Sequence, residues 1–251
     1  MSGKLVSLKK KSDWKPKGKL GERAYAVGDI HGCLRETELL IEKIKIDNDY
    51  RDAAKSYIVF LGDLVDRGPN SRGVIELLMR FPYTFAEPLF IMGNHEEMMV
   101  RGLMGEPTLL PDWLKYGGYA CAESYGVPRG RLTGQTPEAM EHILRLAIPK
   151  AHVEFLAGFL DYVQFGDYLF THAGIRPKVP LDRQQSQDFR WIRDPFLGYK
   201  GDHGVVVVHG HTITDRIEIK RNRIGIDTGA YQTGCLTAVC IEDGEVSFLN
   251  S

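Results

Sequence analysis

Three short apolar segments of the chain are each followed at once by a glycine and a polar residue of the kind that ligates metal ions. They are residues 24–27 before Gly28-Asp29, residues 57–61 before Gly62-Asp63, and residues 89–92 before Gly93-Asn94. Apolar residues near helical spacing lie between them, in residues 34–46 and 71–81. Because buried strands that alternate with amphipathic helices form parallel sheets, this pattern predicts a β-α-β-α-β unit and an α/β fold.

The rest of the chain changes character twice. Residues 95–160 are predicted to be helical, with breaks at Gly117-Gly118 and around residues 126–134. Further strands are predicted at residues 168–171, 205–208 and 223–226, and a final hairpin turns at Asp243-Gly244. No linker divides the sequence, so residues 21–251 are predicted to form a single domain.

The distribution of charge separates the first twenty residues from the remainder. The formal net charge is only −1, yet residues 1–20 hold seven lysines against Asp13 alone, and residues 21–251 are acidic. We expect residues 1–20 to be a basic, flexible arm. An acidic body does not suit a protein that coats nucleic acid, so nucleic acid is not expected as a partner.

The cellular setting is predicted from what the sequence lacks. It contains no apolar run of 18 residues and no apolar signal-peptide core after its first charges, so neither a transmembrane segment nor secretion is expected. Its four cysteines are scattered, without a metal-binding or disulfide spacing. A cytoplasmic location is expected, because scattered free cysteines are typical of proteins in the reducing cytosol.

The residues that follow the strands predict a metal site. The carboxyl ends of strands in an open α/β sheet meet at one crevice, so residues distant in sequence converge there. Carboxylate, imidazole and amide oxygen ligands suit Mn²⁺, Fe or Zn. We predict two divalent metal ions, most simply Mn²⁺: one held by Asp29, His31 and Asp63, the other by Asp63, Asn94, His172 and His211, with the Asp63 carboxylate bridging.

Three blocks in this order resemble the signature of the calcineurin-like metallophosphoesterases. The blocks are Gly28-Asp29-Ile30-His31-Gly32, Gly62-Asp63-Leu64-Val65-Asp66-Arg67-Gly68-Pro69 and Gly93-Asn94-His95-Glu96. Asp66-Arg67-Gly68 is similar to the phosphoprotein phosphatase branch. Trp113 before Gly117-Gly118, Trp191-Ile192-Arg193 and residues 226–230 are similar to bacterial and phage-type members. The resemblance implies a sandwich of mixed β-sheets flanked by helices, with a helical insertion in the middle of the chain.

The resemblance also implies roles for individual residues. Asp29, His31, Asp63, Asn94, His172 and His211 match the metal ligands of the family position by position. His95 would donate a proton to the leaving oxygen, with Asp66 orienting its ring. Arg67, Asn94 and Arg193 would bind the phosphoryl oxygens, and Arg190 is a nearby competitor of Arg193 for this role.

The implied activity is hydrolysis of phosphate monoesters by a hydroxide that bridges two metal ions. Asp66 favours a serine/threonine protein phosphatase, which is the main prediction. Met92 stands where many such phosphatases have an arginine, and it favours the alternative, a symmetrical bis(5'-nucleosyl)-tetraphosphatase. The substrate is thus predicted to be a phosphoprotein or a phosphorylated nucleotide. A non-catalytic metal-binding scaffold is a remote alternative, and residues 103–135 are predicted to line the substrate groove.

Overall fold

Two five-stranded sheets form the centre of the protein, which we describe from a computed structural model. The structure describes residues 15–80 and 84–251. The strands are β1 (Glu22–Val27), β2 (Lys55–Phe60), β3 (Glu87–Phe90), β4 (Tyr162–Phe165), β5 (Tyr168–Thr171), β6 (Val206–His209), β7 (Glu218–Ile219), β8 (Arg223–Gly225), β9 (Thr237–Glu242) and β10 (Glu245–Asn250). The helices are α1 (Leu34–Tyr50), α2 (Ser71–Arg80), α3 (Asn94–Leu103), α4 (Leu110–Trp113), α5 (Tyr119–Ser124), α6 (Arg129–Leu132), α7 (Pro137–Ala147), α8 (Lys150–Ala157), α9 (Ser186–Trp191) and α10 (Ala230–Thr233).

Both sheets are mixed, which confirms the predicted fold class. The first has the order β10-β9-β1-β2-β3, with β1, β2 and β3 parallel and β9 antiparallel to β1. The second has the order β4-β5-β6-β8-β7, and its middle strands are parallel. β4 and β7 were not predicted from the sequence. Both are short edge strands, which bury fewer side chains and therefore leave a weaker apolar pattern.

Alternating side chains of β1 show how the layers are built. Ala24 and Ala26 face the second sheet, where they pack in a core with Phe170 and Val208. Tyr25 and Val27 point the other way, into the core beneath the helices. Because successive strand residues face opposite sides, each apolar strand of this sheet closes two cores at once.

The third predicted strand lies nearer the N-terminus than expected. β3 ends at Phe90, and Ile91 forms only an isolated bridge with Leu160. The Met92 amide donates to the Leu160 carbonyl at 2.8 Å, so the chain has already left the β2 ladder before Gly93. Residue 81, at the end of the predicted second helix, lies outside the described residues.

The predicted helical middle of the chain is an insertion between the two sheets in sequence. Residues 94–157 contain α3 to α8 and one π-helical turn, Leu114–Gly118. The expected break lies within that turn, where Gly117 has a φ of 129°. In the described ranges 15–80 and 84–251, no helix combines the length and apolarity needed to cross a membrane.

The predicted basic arm is described only in its last part, because residues 1–14 lie outside the described residues. The Lys17 amide donates to the Asp167 carboxylate at 2.9 Å, and the Asp167 amide donates to the Lys17 carbonyl at 2.8 Å. The Gly18 amide donates to the Asp243 carbonyl. This part of the chain therefore lies across the turns that follow β4 and β9.

A buried arginine joins two neighbouring strands of the first sheet, β1 and β9, that lie far apart in the sequence. Arg23 in β1 is 1% exposed, and its guanidinium donates to both carboxylate oxygens of Glu242 in β9, at 2.7 and 2.9 Å. It also donates to the Asn48 side chain at 2.8 Å and to the Asp52 carbonyl at 2.7 Å. The hydrogen bond from Arg23 lowers the pKa of Glu242, so the ion pair stabilises the folded state.

Replacing Glu242 with Gln should lower the free energy of unfolding at pH 7 by about 1–2 kcal/mol, because a buried guanidinium loses its counter-ion while Glu242 is itself partly exposed. Urea denaturation measures this. Since the folded pKa of Glu242 is lowered, its contribution is present above the unfolded value and is lost as pH falls below about 4. The two proteins should therefore converge in acid. Glu245→Gln, at an exposed position in β10, is the control, and an equal loss there would contradict the assignment.

Candidate active site

The six predicted metal ligands come together at one edge of the two sheets, and all six are buried. Asp29 and His31 follow β1, Asp63 follows β2, and Asn94 begins α3 just after β3. His172 follows β5 and His211 follows β6, so the second sheet supplies the remaining imidazoles. The site is thus shared by the two sheets, which pack face to face, and it lies at the carboxyl ends of their parallel strands.

One oxygen of Asp63 lies at the centre of this cluster. Its Oδ2 is 3.5 Å from His31 Nε2, 3.4 Å from His172 Nε2 and 3.9 Å from His95 Nε2. Two groups of possible metal ligands share it: His31, Asp63 and His95, and Asp63, His172 and His211. Within each group the ligand atoms lie within 4.8 Å of one another. Asp63 therefore stands in the bridging position between two possible cation sites.

Asp29 lies slightly apart from the first group. Its Oδ2 is 4.0 Å from His31 Nε2, and its two oxygens accept the His211 amide at 3.1 and 3.0 Å. The sequence placed Asp29 with His31 and Asp63, whereas the tightest cluster contains His95 instead. The hydrogen bonds to the His211 backbone account for this, because they hold the Asp29 carboxylate toward the second sheet.

Two backbone carbonyls orient the imidazoles. Val65 accepts from His31 Nδ1 at 2.8 Å, and Leu61 accepts from His172 Nδ1 at 2.9 Å. A carbonyl oxygen can only accept, so Nδ1 carries the hydrogen in both rings and Nε2 faces the site. His172 Nε2 lies 3.0 Å from Asn94 Oδ1 and 3.2 Å from His211 Nδ1. This arrangement is the usual way in which proteins prepare histidines for a metal ion.

The buried carboxylates of the site favour positive charge beside them. Burial would raise the pKa of Asp63, but the imidazoles of His172 and His95 outweigh it and hold that pKa well below its usual range. Burial likewise lowers the pKa of His172, yet Asp63 and Asp29 raise it to about 10. A positive charge beside Asp63 and Asp29 is therefore favourable. Divalent cations ligated by the same oxygen and nitrogen atoms would supply that charge, so the residues present fit the metal ions that the sequence predicts.

Backbone strain is concentrated at the same residues. Among the described residues, seven non-glycine residues have positive φ, and five of them belong to this cluster: His31, Asp63, Asp66, Arg67 and His211. Each such conformation costs of the order of 1 kcal/mol and persists only where its surroundings enforce it. Strain of this kind is typical of functional sites.

Glu96 is one of the groups that enforce the strained loop, and the sequence analysis assigned it no role. It is fully buried, and its carboxylate accepts the backbone amides of Asp63 and Leu64, both at 2.8 Å. It also accepts the Val65 amide at 3.2 Å and the Gly93 amide at 3.1 Å. Its place in the third signature block was the available signal.

His95, Asp66 and Arg67 form a connected set beside Asp63. His95 Nδ1 lies 2.6 Å from Asp66 Oδ2, and its Nε2 lies 3.0 Å from Arg67 Nη2. Burial lowers the pKa of His95, but Asp63 and Asp66 outweigh it and raise the pKa above its ordinary value. Arg67 Nη1 lies 2.9 Å from His31 Nε2, so one guanidinium spans both imidazoles. A cation at His31 Nε2 would require Arg67 to turn away from this nitrogen.

The two candidate arginines near α9 differ in their surroundings. Arg193 is exposed, and its guanidinium donates to the hydroxyl of Thr212, the residue after His211, at 2.9 Å. Arg190 instead pairs with Asp161 at 2.7 Å and with Glu97 at 3.3 Å. The structure therefore places Arg193 at the rim of the site and engages Arg190 elsewhere.

Asp227 is a second buried acid to which the sequence analysis gave no role. It is 2% exposed, its Oδ1 accepts the Gly229 amide at 3.0 Å, and its Oδ2 has no hydrogen-bond partner among residues 15–80 and 84–251. After burial itself, the charge of Asp227 is the largest influence that raises the pKa of Asp29. It lies just beyond β8, so the rule that selected the other strand-end residues also applies to it.

The sequence of this chain matches a known protein family. The family described as calcineurin-like phosphoesterase matches residues 23–233, which span every residue of the cluster. The chain belongs to the calcineurin-like phosphoesterase family. The fold and the metal-binding character predicted from the three blocks are thereby confirmed.

Relatives of this phosphoesterase include enzymes named for dinucleotide hydrolysis. It is 35% identical over 111 residues to the symmetrical bis(5'-nucleosyl)-tetraphosphatase of Coxiella burnetii, a match that covers 43% of this chain and 34% of that enzyme. It is 27% identical over 235 residues to the asymmetrical bis(5'-nucleosyl)-tetraphosphatase PrpE of Bacillus thuringiensis, covering 85% and 88% of the two chains. The chain therefore spans only about a third of the first relative and most of the second.

Solved structures similar to this phosphoesterase agree on the fold. A protein provisionally described as a diadenosine tetraphosphatase matches with a TM-score of 0.64 at 20% identity, covering 95% of this chain and 99% of that one. A cold-active protein tyrosine phosphatase matches with a TM-score of 0.57 at 18% identity, covering 93% and 81%. At these identities the likeness concerns the fold alone.

The helical insertion of this phosphoesterase touches the strained loop directly. The Arg67 amide donates to the Gly117 carbonyl at 3.2 Å. A Cβ on Gly117 would lie 2.7 Å from Arg67 Cγ and 3.0 Å from Arg67 N, and Gly117 has positive φ. Only glycine permits this approach, so the π-helical turn supports Arg67 from outside the sheet edge.

Replacing Gly117 with Ala should therefore displace Arg67 and lower kcat/KM for p-nitrophenyl phosphate by about 10- to 100-fold, the usual cost of a misplaced active-site group. Gly105→Ala is the matched control, because Gly105 has a φ of 118° but nothing within 4 Å of its added Cβ. That variant suffers the same backbone strain without the contact. Steady-state kinetics that show equal losses in the two variants would contradict a positioning role for Gly117.

Proposed function

We propose that this phosphoesterase hydrolyses dinucleoside tetraphosphates with two divalent metal ions. The observation that carries the catalytic part is the Asp63 carboxylate, which is shared by two clusters of imidazole ligands. The nucleotide substrate is supported by relatives with that activity in their names, one of which matches over 85% of this chain. This favours the alternative over protein phosphatase activity, the main prediction from the sequence.

The metal ions would be held by Asp29, His31 and Asp63 on one side, and by Asp63, Asn94, His172 and His211 on the other. When bound, such ions activate water and neutralise the oxygens of the transferred phosphoryl group. We propose Mn²⁺ as the working ion, with Fe or Zn as alternatives, because the ligand set mixes carboxylate, amide and imidazole donors.

The remaining roles follow from hydrogen bonds. His95 presents Nε2 to the reacting region while Asp66 holds Nδ1 at 2.6 Å, so His95 is placed to give its Nε2 proton to the leaving oxygen. His95 Nε2 can carry this proton once Arg67 has turned away from it, and the raised pKa of His95 favours the protonated ring. Arg67 donates two hydrogen bonds to the phosphoryl oxygens once it has turned away from the imidazoles of His31 and His95. Arg193 donates to the same oxygens from the rim of the site, and the Asn94 side chain also contacts them.

A serine/threonine protein phosphatase is the second candidate. The observation that favours it is the hydrogen bond of Asp66 to His95, because Asp66 is the residue on which the sequence-based prediction of a protein phosphatase rests. Both candidates use the same residues for catalysis and differ in what binds beyond the phosphoryl group.

Parallel assays with diadenosine tetraphosphate and a phosphoserine peptide in Mn²⁺ test the proposal. We expect kcat/KM to be about 100-fold or more higher for the dinucleotide, because it offers more binding contacts beyond the reacting phosphate. Separation of the products distinguishes central cleavage, which yields two molecules of ADP, from cleavage into ATP and AMP. Activity should vanish with chelator and return with Mn²⁺. A higher kcat/KM for the peptide would overturn the proposal in favour of the second candidate.

His95→Asn provides a test of the proton donor. The variant should lower kcat for phenyl phosphate by about 10²- to 10⁴-fold, because its leaving phenolate is strongly basic and needs a proton in the transition state. The loss should be much smaller with p-nitrophenyl phosphate, whose leaving phenol is acidic and departs without help. Asp63→Asn, in contrast, should reduce both activities severely. Equal losses on the two substrates in His95→Asn would assign His95 to metal binding instead.

A further inference from the structure

A cleft of about 540 Å³ opens beside the reacting centre on the side of the helical insertion. Arg67 belongs to both places, since it lines the cleft and donates to the imidazoles of His31 and His95. The other walls come from the π-helical turn, α5 and α6. A ligand with its reacting phosphate at Asp63 can therefore continue past Arg67 into this space.

The side chains around the cleft combine cations, an aromatic ring and one carboxylate. The guanidinium carbon of Arg129 lies 4.3 Å from the centre of the Tyr119 ring, and the side chain lines the cleft. Lys115 pairs with Asp112 at 3.0 Å, and both side chains are well exposed. Such an exposed pair is weak, so Lys115 is available to an anion that enters the cleft. Glu123 completes the polar wall.

We propose that this cleft binds the distal nucleotide portion of a dinucleoside polyphosphate, an assignment that rests on the proposed function. Arg129 and Lys115 contact phosphates beyond the scissile bond. The Glu123 carboxylate accepts hydrogen bonds from ribose hydroxyls. The stacked surface of Tyr119 and Arg129 receives the flat face of the base.

The mixture of groups selects a nucleotide over other anionic ligands. An inorganic polyphosphate would gain nothing from Tyr119 and would be repelled by Glu123. A phosphopeptide presents one phosphate, which would already be bound by Arg67 and the metal ions. It would have no further phosphate to pair with Lys115 and Arg129. A nucleotide uses all three kinds of group at once.

Arg129→Gln tests the site. Removing one charged hydrogen-bonding partner should raise the KM for diadenosine tetraphosphate by about tenfold relative to any change in the KM for p-nitrophenyl phosphate, which is too small to reach the cleft. Arg131→Gln is the matched control, because Arg131 is exposed, lies in the same short helix and does not line the cleft. It removes the same charge and should leave the ratio of the two KM values unchanged. Equal ratios in both variants would overturn the proposal.

ADP as an inhibitor separates this site from the proposed activity. With p-nitrophenyl phosphate as the substrate, ADP should inhibit wild-type protein more strongly than pyrophosphate, and Arg129→Gln should remove most of the difference. If that holds while diadenosine tetraphosphate is not hydrolysed, the cleft is a nucleotide site and the proposed function is wrong. If the dinucleotide is hydrolysed but ADP inhibition is insensitive to Arg129, the function stands and the cleft assignment fails.

Discussion

The Asp63 carboxylate is the interaction on which the site depends. Its Oδ2 faces His31, His172 and His95 within 4 Å, and it is buried with two other acids, Asp29 and Asp227. Unpaired carboxylates in such surroundings would be strongly unfavourable, so the imidazoles beside them offset a cost that burial imposes. The same carboxylate and imidazole atoms are suited to bind divalent cations.

The loops that bring these groups together contain strained backbone, which lowers the stability of the fold locally. The loops after β1 and β2 hold His31, Asp63, Asp66 and Arg67 at positive φ, a conformation that side chains other than glycine avoid. Glu96 compensates by accepting four backbone amides, three of them within the second loop. The two cores on either side of the first sheet supply the stability that such strain requires.

The helical insertion has two relations to this loop. Through Gly117 it supports the Arg67 backbone, and through Tyr119 and Arg129 it forms the wall of the adjoining cleft. The same segment is thus in contact with Arg67, which we propose binds phosphate, and with the cleft that we propose receives the distal part of the substrate. Substrate range and positioning of Arg67 are therefore expected to change together when this segment changes.

The sequence by itself determined the fold class and the strand-end residues. Buried strands are recognisable by their apolar runs, and strand-end acids and histidines by the glycines beside them, because both depend on local chemistry. Sequence reasoning gave no role to Glu96 and Asp227, although the same blocks and strand-end rule contain them, and it did not find the edge strands β4 and β7. Its preference for a protein phosphatase rested on Asp66, a residue that is hydrogen-bonded to His95 and does not line the cleft beside Arg67. Only the tertiary structure decided which ligands cluster most tightly, that Arg190 is engaged by Asp161, and that a cleft adjoins Arg67. These depend on contacts between segments far apart in the chain, which no local pattern records.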